Sequence, residues 1–124
     1  MQTRPLIIEE ISAPQNGSHV LRHSGPLVLS TLGEFQSRVR ADRSNNLILD
    51  LTDVPYVDSA GIGALVGTYV RHQRDENGLS LVGVNDRVHA ALKIAHIEQF
   101  FRFFPSLPEA QAKRTSTWQR SKPD

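Results

Sequence analysis

The chain has 124 residues, no cysteine, a formal net charge of +1, 39% hydrophobic and 22% charged residues. That length gives one domain with a core large enough to need no staple, and the balanced charge lacks the basic field of a dedicated nucleic-acid binder. The missing cysteines exclude disulfides, thiol nucleophiles and thiolate metal sites. With no signal-peptide core and no segment of membrane-spanning length, a cytoplasmic protein without direct membrane contact is expected.

Leu6 to Ile11 reads as a first strand, followed by a turn at Pro14-Gln15-Asn16-Gly17. His19 to Ser24 reads as a second strand, ended by Gly25-Pro26. Val28, Leu32, Phe35 and Val39 recur at helical spacing, so a helix runs to about Asp42. Thr31 and Glu34 have capping-box spacing, which allows its regular part to begin there. Leu47 to Leu51 is a short apolar strand of the kind covered on both faces. A helix follows Ser59, burying Ile62, Leu65, Val66, Tyr69 and Val70, with Asn77-Gly78 as its C-terminal stop. Leu79 to Val84 is the next strand. Asn85 or Asp86 then caps a helix carrying Val88, Ala91, Leu92 and Ala95. Phe101 to Phe104 is a last short strand, and Ser106 to Glu109 opens a short helix ending near Lys113. Residues 1–114 form the domain; 115–124, with Trp118, read as a flexible tail. The order β-β-α-β-α-β-α-β-α predicts an α/β fold with a mixed sheet packed against helices.

The chemistry concentrates between Asp50 and Arg71. Asp58-Ser59 lies at the N-terminus of the helix that follows the buried strand. There the unpaired N–H groups and the helix dipole favour negative charge. A phosphate on Ser59 would be partly stabilised by the helix and opposed by Asp58. Ser and Asp are also preferred N-caps, so the same pair can do no more than satisfy those N–H groups. Ala60, Ala64 and Gly67 lie along one side of the helix, Gly61 and Gly63 bare more backbone, and Arg71 and Arg74 continue the stripe. Glycines inside a helix cost about 1 kcal/mol each relative to alanine. They point either to close packing on the sheet or to a smooth docking surface beside the serine.

Catalytic readings fare worse. Gly61, Gly63 and Gly67 spell a relaxed dinucleotide fingerprint, but Thr52 to Ser59 separates them from the strand and supplies acids that repel a pyrophosphate. A nucleophile elbow around Ser59 would need glycine where Val57 stands. His19 and His23 can share one strand face, but without a third ligand they read as surface residues, not metal ligands. Asp50, Asp53 and Asp58 have no metal-loop spacing. No enzyme, no cofactor and no metal are expected.

The run Leu49-Asp50-Leu51-Thr52-Asp53-Val54-Pro55-Tyr56-Val57-Asp58-Ser59-Ala60-Gly61-Ile62-Gly63-Ala64-Leu65 resembles the signature of the STAS domain, as found in bacterial anti-sigma factor antagonists. The resemblance extends from about Leu6 to Ala112. It implies a mainly parallel sheet with helices packed on one side and one antiparallel edge strand. It also implies partner switching. The unphosphorylated antagonist binds an anti-sigma factor with serine-kinase activity and frees the sigma factor. Phosphorylation at Ser59 breaks that complex, and a PP2C-type phosphatase restores it. Asp58, Ser59, Ala60, Gly61, Gly63, Ala64, Gly67 and Arg71 would meet the partner, and the chain would be a monomer or weak homodimer. A STAS scaffold or transporter-associated subunit with a structural Ser59 is the alternative. Two departures stand out. Gly25-Pro26-Leu27-Val28 stands where the family often shows Gly-Glu-Leu-Asp, so an acid that usually lies near the phosphorylation site is missing. His96 stands where many members end the third helix with glycine; histidine tolerates the left-handed conformation better than bulky residues do.

Overall fold

The computed structural model describes residues 4–15 and 18–112. Five strands, β1 (Ile7–Gln15), β2 (Ser18–Ser24), β3 (Asn46–Asp53), β4 (Gly78–Val82) and β5 (Arg102–Phe104), lie in the order β1-β2-β3-β4-β5. β1 pairs antiparallel with β2, and the remaining pairs are parallel. The helices are α1 (Leu32–Ala41), α2 (Ser59–Arg74), α3 (Asp86–Ile94) and α4 (Leu107–Ala112), with 3-10 turns at Leu29–Thr31 and Glu98–Phe100. The element order is the one expected.

Strand periodicity sorts the core. Leu47, Leu49 and Leu51 point to one face of β3, where Leu21, Leu79 and Leu81 join them against Phe35 and Val39 of α1, Leu65 of α2, and Val88 and Leu92 of α3. Val20, Ile48 and Val82 point the other way and would face water. The short α4 covers them with Ala110 and Leu107. Thus α1 to α3 share one side as expected, and α4 crosses to the other. Two-sided cover is what makes β3 nearly all apolar.

β1 extends through Pro14, where a turn was expected; Asn16-Gly17 and the tail with Trp118 lie outside the described residues. Its register shifts between Glu10 and Ser12 and again before Gln15. An outer strand with bulges tolerates proline because few ladder bonds depend on its missing N–H.

The C-terminal stop of α2 also differs from expectation. Glu76, not Asn77 or Gly78, takes the left-handed position, with φ 60°. The Asn77 N–H donates to the His72 carbonyl at 2.8 Å, closing a Schellman turn. Gly78 makes room for a neighbour instead: a Cβ there would lie 2.5 Å from Asn46 Oδ1 on the adjacent strand, so that side chain would have to shift. His96 ends α3 in the same way, with φ 64° and Ile97 N–H donating to the Leu92 carbonyl at 3.1 Å.

The histidines of β2 share the helix-facing side with Leu21, as alternation predicts, but they are not surface residues. His19 is part-buried between Asp42 Oδ1 at 2.6 Å and Glu10 Oε2 at 3.2 Å. His23 is 0% exposed, its ring 5.4 Å from that of Phe35. Among the described residues no group of histidines and acids could hold a metal ion.

Candidate functional site

The segment from Val54 to Asp58 is held from three sides. Val54 is buried, and the Asn85 side-chain amide donates to the Val54 and Pro55 carbonyls, both at 3.3 Å. Leu27 N–H donates to the Tyr56 carbonyl at 3.2 Å, and Asp58 N–H donates to the Leu27 carbonyl at 3.3 Å. The guanidinium of Arg87 lies 4.9 Å from the centre of the Tyr56 ring. A loop fixed at so many points presents its last residues in a defined place.

Asp58 is the N-cap of α2, and every acceptor it has toward the helix is used. Oδ1 accepts from Gly61 N–H at 2.9 Å, and the carbonyl accepts from Ile62 N–H at 2.9 Å. Oδ2 reaches across to accept from Leu29 N–H at 3.1 Å, tying the 3-10 turn before α1 to the start of α2. Ser59 follows as the first helical residue; it is exposed, and its hydroxyl has no hydrogen-bond partner among the described residues. Of the two residues that sequence offered as caps, Asp58 does the capping and Ser59 is spare.

Two nearby hydroxyls are engaged or hidden. Thr52 donates to Asp50 Oδ1 at 2.6 Å, and Ser80 is 2% exposed inside β4. Asp50 is itself buried and held by Arg22 at 3.5 Å, and strand alternation turns it, with Ile48, to the side of the sheet opposite the Ser59 helix.

The small residues of α2 divide into two groups. Gly61 is buried against β2's outgoing chain: a Cβ there would lie 2.2 Å from the Leu27 carbonyl oxygen. It therefore serves close packing, and a partner cannot reach it, contrary to the expected docking surface. Ala64 is 7% exposed and forms the floor of a groove toward α1. A Cβ on Gly63 or Gly67 would meet nothing within 4 Å. The open surface is thus Ser59, Gly63 and Gly67, with Asp58, Ala60 and Arg71 half-buried beside them. The Leu27 carbonyl fills the space at Gly61, so the first glycine of the relaxed fingerprint offers no open backbone there.

This division predicts opposite signs for chemically identical substitutions. Gly67→Ala should stabilise the fold by about 1 kcal/mol, since the helix gains alanine's propensity and meets no obstacle. Its melting temperature should rise by roughly 3–6 °C. Gly61→Ala should cost roughly 1–3 kcal/mol, because the start of α2 must move off Leu27. Thermal melts of the two variants check this; shifts of the same sign would refute the assignment.

Two features near the serine escaped the sequence reading. Leu29 is 71% exposed, with its backbone held by Asp58. Gln36 and Arg40 of α1 line the groove opposite Gly63 and Gly67. Neither carries a local signal, because both are recruited by the way α1 packs beside α2.

Comparison with known proteins agrees with the fold. The family model for the STAS domain matches residues 10–110. The anti-sigma-B factor antagonist of Staphylococcus aureus is 26% identical over 87 residues, spanning 68% of this chain and 81% of that protein. The crystal structure of an anti-sigma factor antagonist from Mycobacterium paratuberculosis superposes with a TM-score of 0.75 at 21% identity, covering 86% of this chain and 92% of that one. A sulfate transporter family protein from Wolinella succinogenes gives a TM-score of 0.75 at 20% identity, covering 87% and 93%. No helix among the described residues is long and apolar enough to cross a membrane.

Proposed function

The chain belongs to the STAS domain family, and from that premise we propose that it is an anti-sigma factor antagonist switched by phosphorylation at Ser59. Unphosphorylated, it binds an anti-sigma factor that is also a serine kinase, and the sigma factor is released. The observation that carries this reading is the spare, exposed Ser59 hydroxyl on a helix already capped by Asp58. In the modification step Ser59 Oγ attacks the γ-phosphorus of ATP held by the kinase. The bond to ADP breaks, and the hydroxyl proton passes to a base on the kinase. A PP2C-type phosphatase reverses the step by hydrolysis. This chain is the substrate in both directions and supplies no catalytic group. Ser59 and Ala60 retain first-turn N–H groups to receive the phosphate, since Gly61 and Ile62 already donate to Asp58.

The test is incubation with ATP and each anti-sigma kinase of the same genome, followed by mass spectrometry. One phosphate should be added to the wild type and none to Ser59→Ala. Equal labelling of the two would move the site elsewhere.

The fold shared with the sulfate transporter family protein favours a second reading, a STAS scaffold in which Ser59 is structural. Under that reading Ser59→Asp changes stability and leaves partner binding unaltered.

A further inference from the structure

We propose that the groove between α1 and α2 seats a helix of the partner protein, and that a carboxylate on that helix pairs with Arg40 and Arg71. This rests on the antagonist reading and names the partner's chemistry. Ser59, Gly63, Gly67 and Arg71 recur every four residues, so they form one stripe down α2, roughly 18 Å long at 1.5 Å per residue. The groove beside the stripe has a volume of about 170 Å³, with Gln36, Val39 and Arg40 on the α1 side and Gly63, Gly67 and Arg71 on the α2 side. No internal contact requires Gly63 or Gly67, and Gly33 on α1 is equally open. Bare backbone on the outer face lets a second helix approach more closely than side chains would.

Charge selects the occupant. No acid lines the groove. Arg71 Nη2 donates to the Val39 carbonyl at 2.9 Å, which fixes its guanidinium at one end of the groove. Arg40 is exposed and makes no hydrogen bond or ion pair among the described residues. The next basic residue, Arg74, lies beside Asp75 at 3.7 Å. Two guanidinium groups without an acid match a carboxylate, whose two oxygens accept paired N–H bonds. An apolar or basic helix in the same place would desolvate those charges without compensation.

The experiment is calorimetric titration of the wild type, Arg40→Glu, Gly67→Ala and Ser59→Asp with each purified anti-sigma kinase of the same genome, at low and high salt. Arg40→Glu should bind about tenfold or more weakly, with its melting temperature unchanged, and an acid-to-arginine change in the partner's helix should restore binding. Gly67→Ala should bind more weakly although it melts higher. If Arg40→Glu and Gly67→Ala bind like wild type while Ser59→Asp does not, the groove proposal is overturned and the antagonist reading stands. Tight binding of inorganic phosphate that Arg40→Glu abolishes would overturn it in favour of a small-anion site. Failure of every anti-sigma kinase to bind the wild type overturns both readings.

Discussion

Ser59→Asp is expected to weaken the complex with the anti-sigma factor substantially while leaving the fold intact, and a phosphate on Ser59 should weaken it by about a hundredfold or more. The phosphate brings a charge of about −1.5 to −2 at pH 7. Within the chain two effects oppose each other. The start of α2 stabilises an exposed anion by about 0.3–1 kcal/mol, and the Asp58 carboxylate repels it. Asp58 cannot turn away, because its oxygens are bonded to Gly61 and Leu29 N–H groups at 2.9 and 3.1 Å. The near-cancellation leaves a small change in melting temperature. At the interface nothing cancels. The phosphate must lose water against the partner or push it off, and like-charge contacts there cost several kcal/mol, each 1.4 kcal/mol being tenfold. Aspartate carries less charge and fewer oxygens, so it should reproduce part of the loss. Ser59→Ala should remain a constitutive binder. Calorimetry paired with melts separates the two contributions. Wild-type affinity for Ser59→Asp would remove the switch, and an unfolded variant would return Ser59 to a capping role.

The order of elements was legible because each announces itself locally. Leu47 to Leu51 is an apolar run too short for a helix, and Phe35 and Val39 keep helical spacing ahead of it. What failed was decided across the chain. Val70 was expected in the core and is 51% exposed, whereas Thr68 and His72 are buried. The buried face of α2 runs through Gly61, Ala64, Leu65, Thr68 and His72, and apolar counting passes over half of it. Thr68 enters the core because its hydroxyl donates to the Ala64 carbonyl at 2.9 Å, and His72 Nδ1 lies 2.9 Å from the Thr68 carbonyl. Local back-bonding hides polarity that a sequence displays.

The site was half legible for the same reason. Asp58-Ser59 ahead of an apolar helix pattern marks a helix N-terminus, yet sequence cannot divide the labour between them. Asp58 caps because the chain at Leu27 and Leu29 comes within reach, through bonds spanning about thirty positions of sequence. The glycines were visible as a group. Which one packs inward depends on the Leu27 carbonyl, and which ones stay open depends on the width of the space beside α1.

Acid should destabilise the fold by about 3 kcal/mol through His23 alone. Its ring lies wholly within the helix-side core, against Phe35, and neither ring nitrogen has a hydrogen-bond partner among the described residues. Burial pushes its pKa down from 6.5 to about 4. The backbone of Leu21 and Asp50 and the Asp50 carboxylate oppose that shift, and the Arg38 guanidinium adds to it. The unfolded chain takes up the proton near pH 6.5, whereas the folded chain resists it until about pH 4. Between those values the unfolded state binds more protons, so stability falls as pH falls through the window and levels off below it. Above pH 6.5 the full stability is present. A shift of that size, at about 1.4 kcal/mol per unit, gives the figure stated. His72 acts in the same direction, since burial lowers its pKa too, against the Thr68 carbonyl. His23→Leu keeps an apolar side chain of similar volume in the core and removes the titration. Urea unfolding of both proteins from pH 7 down to pH 4 should show curves that converge toward neutral pH relative to their separation in acid, with the variant losing less. Parallel pH profiles for wild type and His23→Leu would mean that another group carries the acid sensitivity.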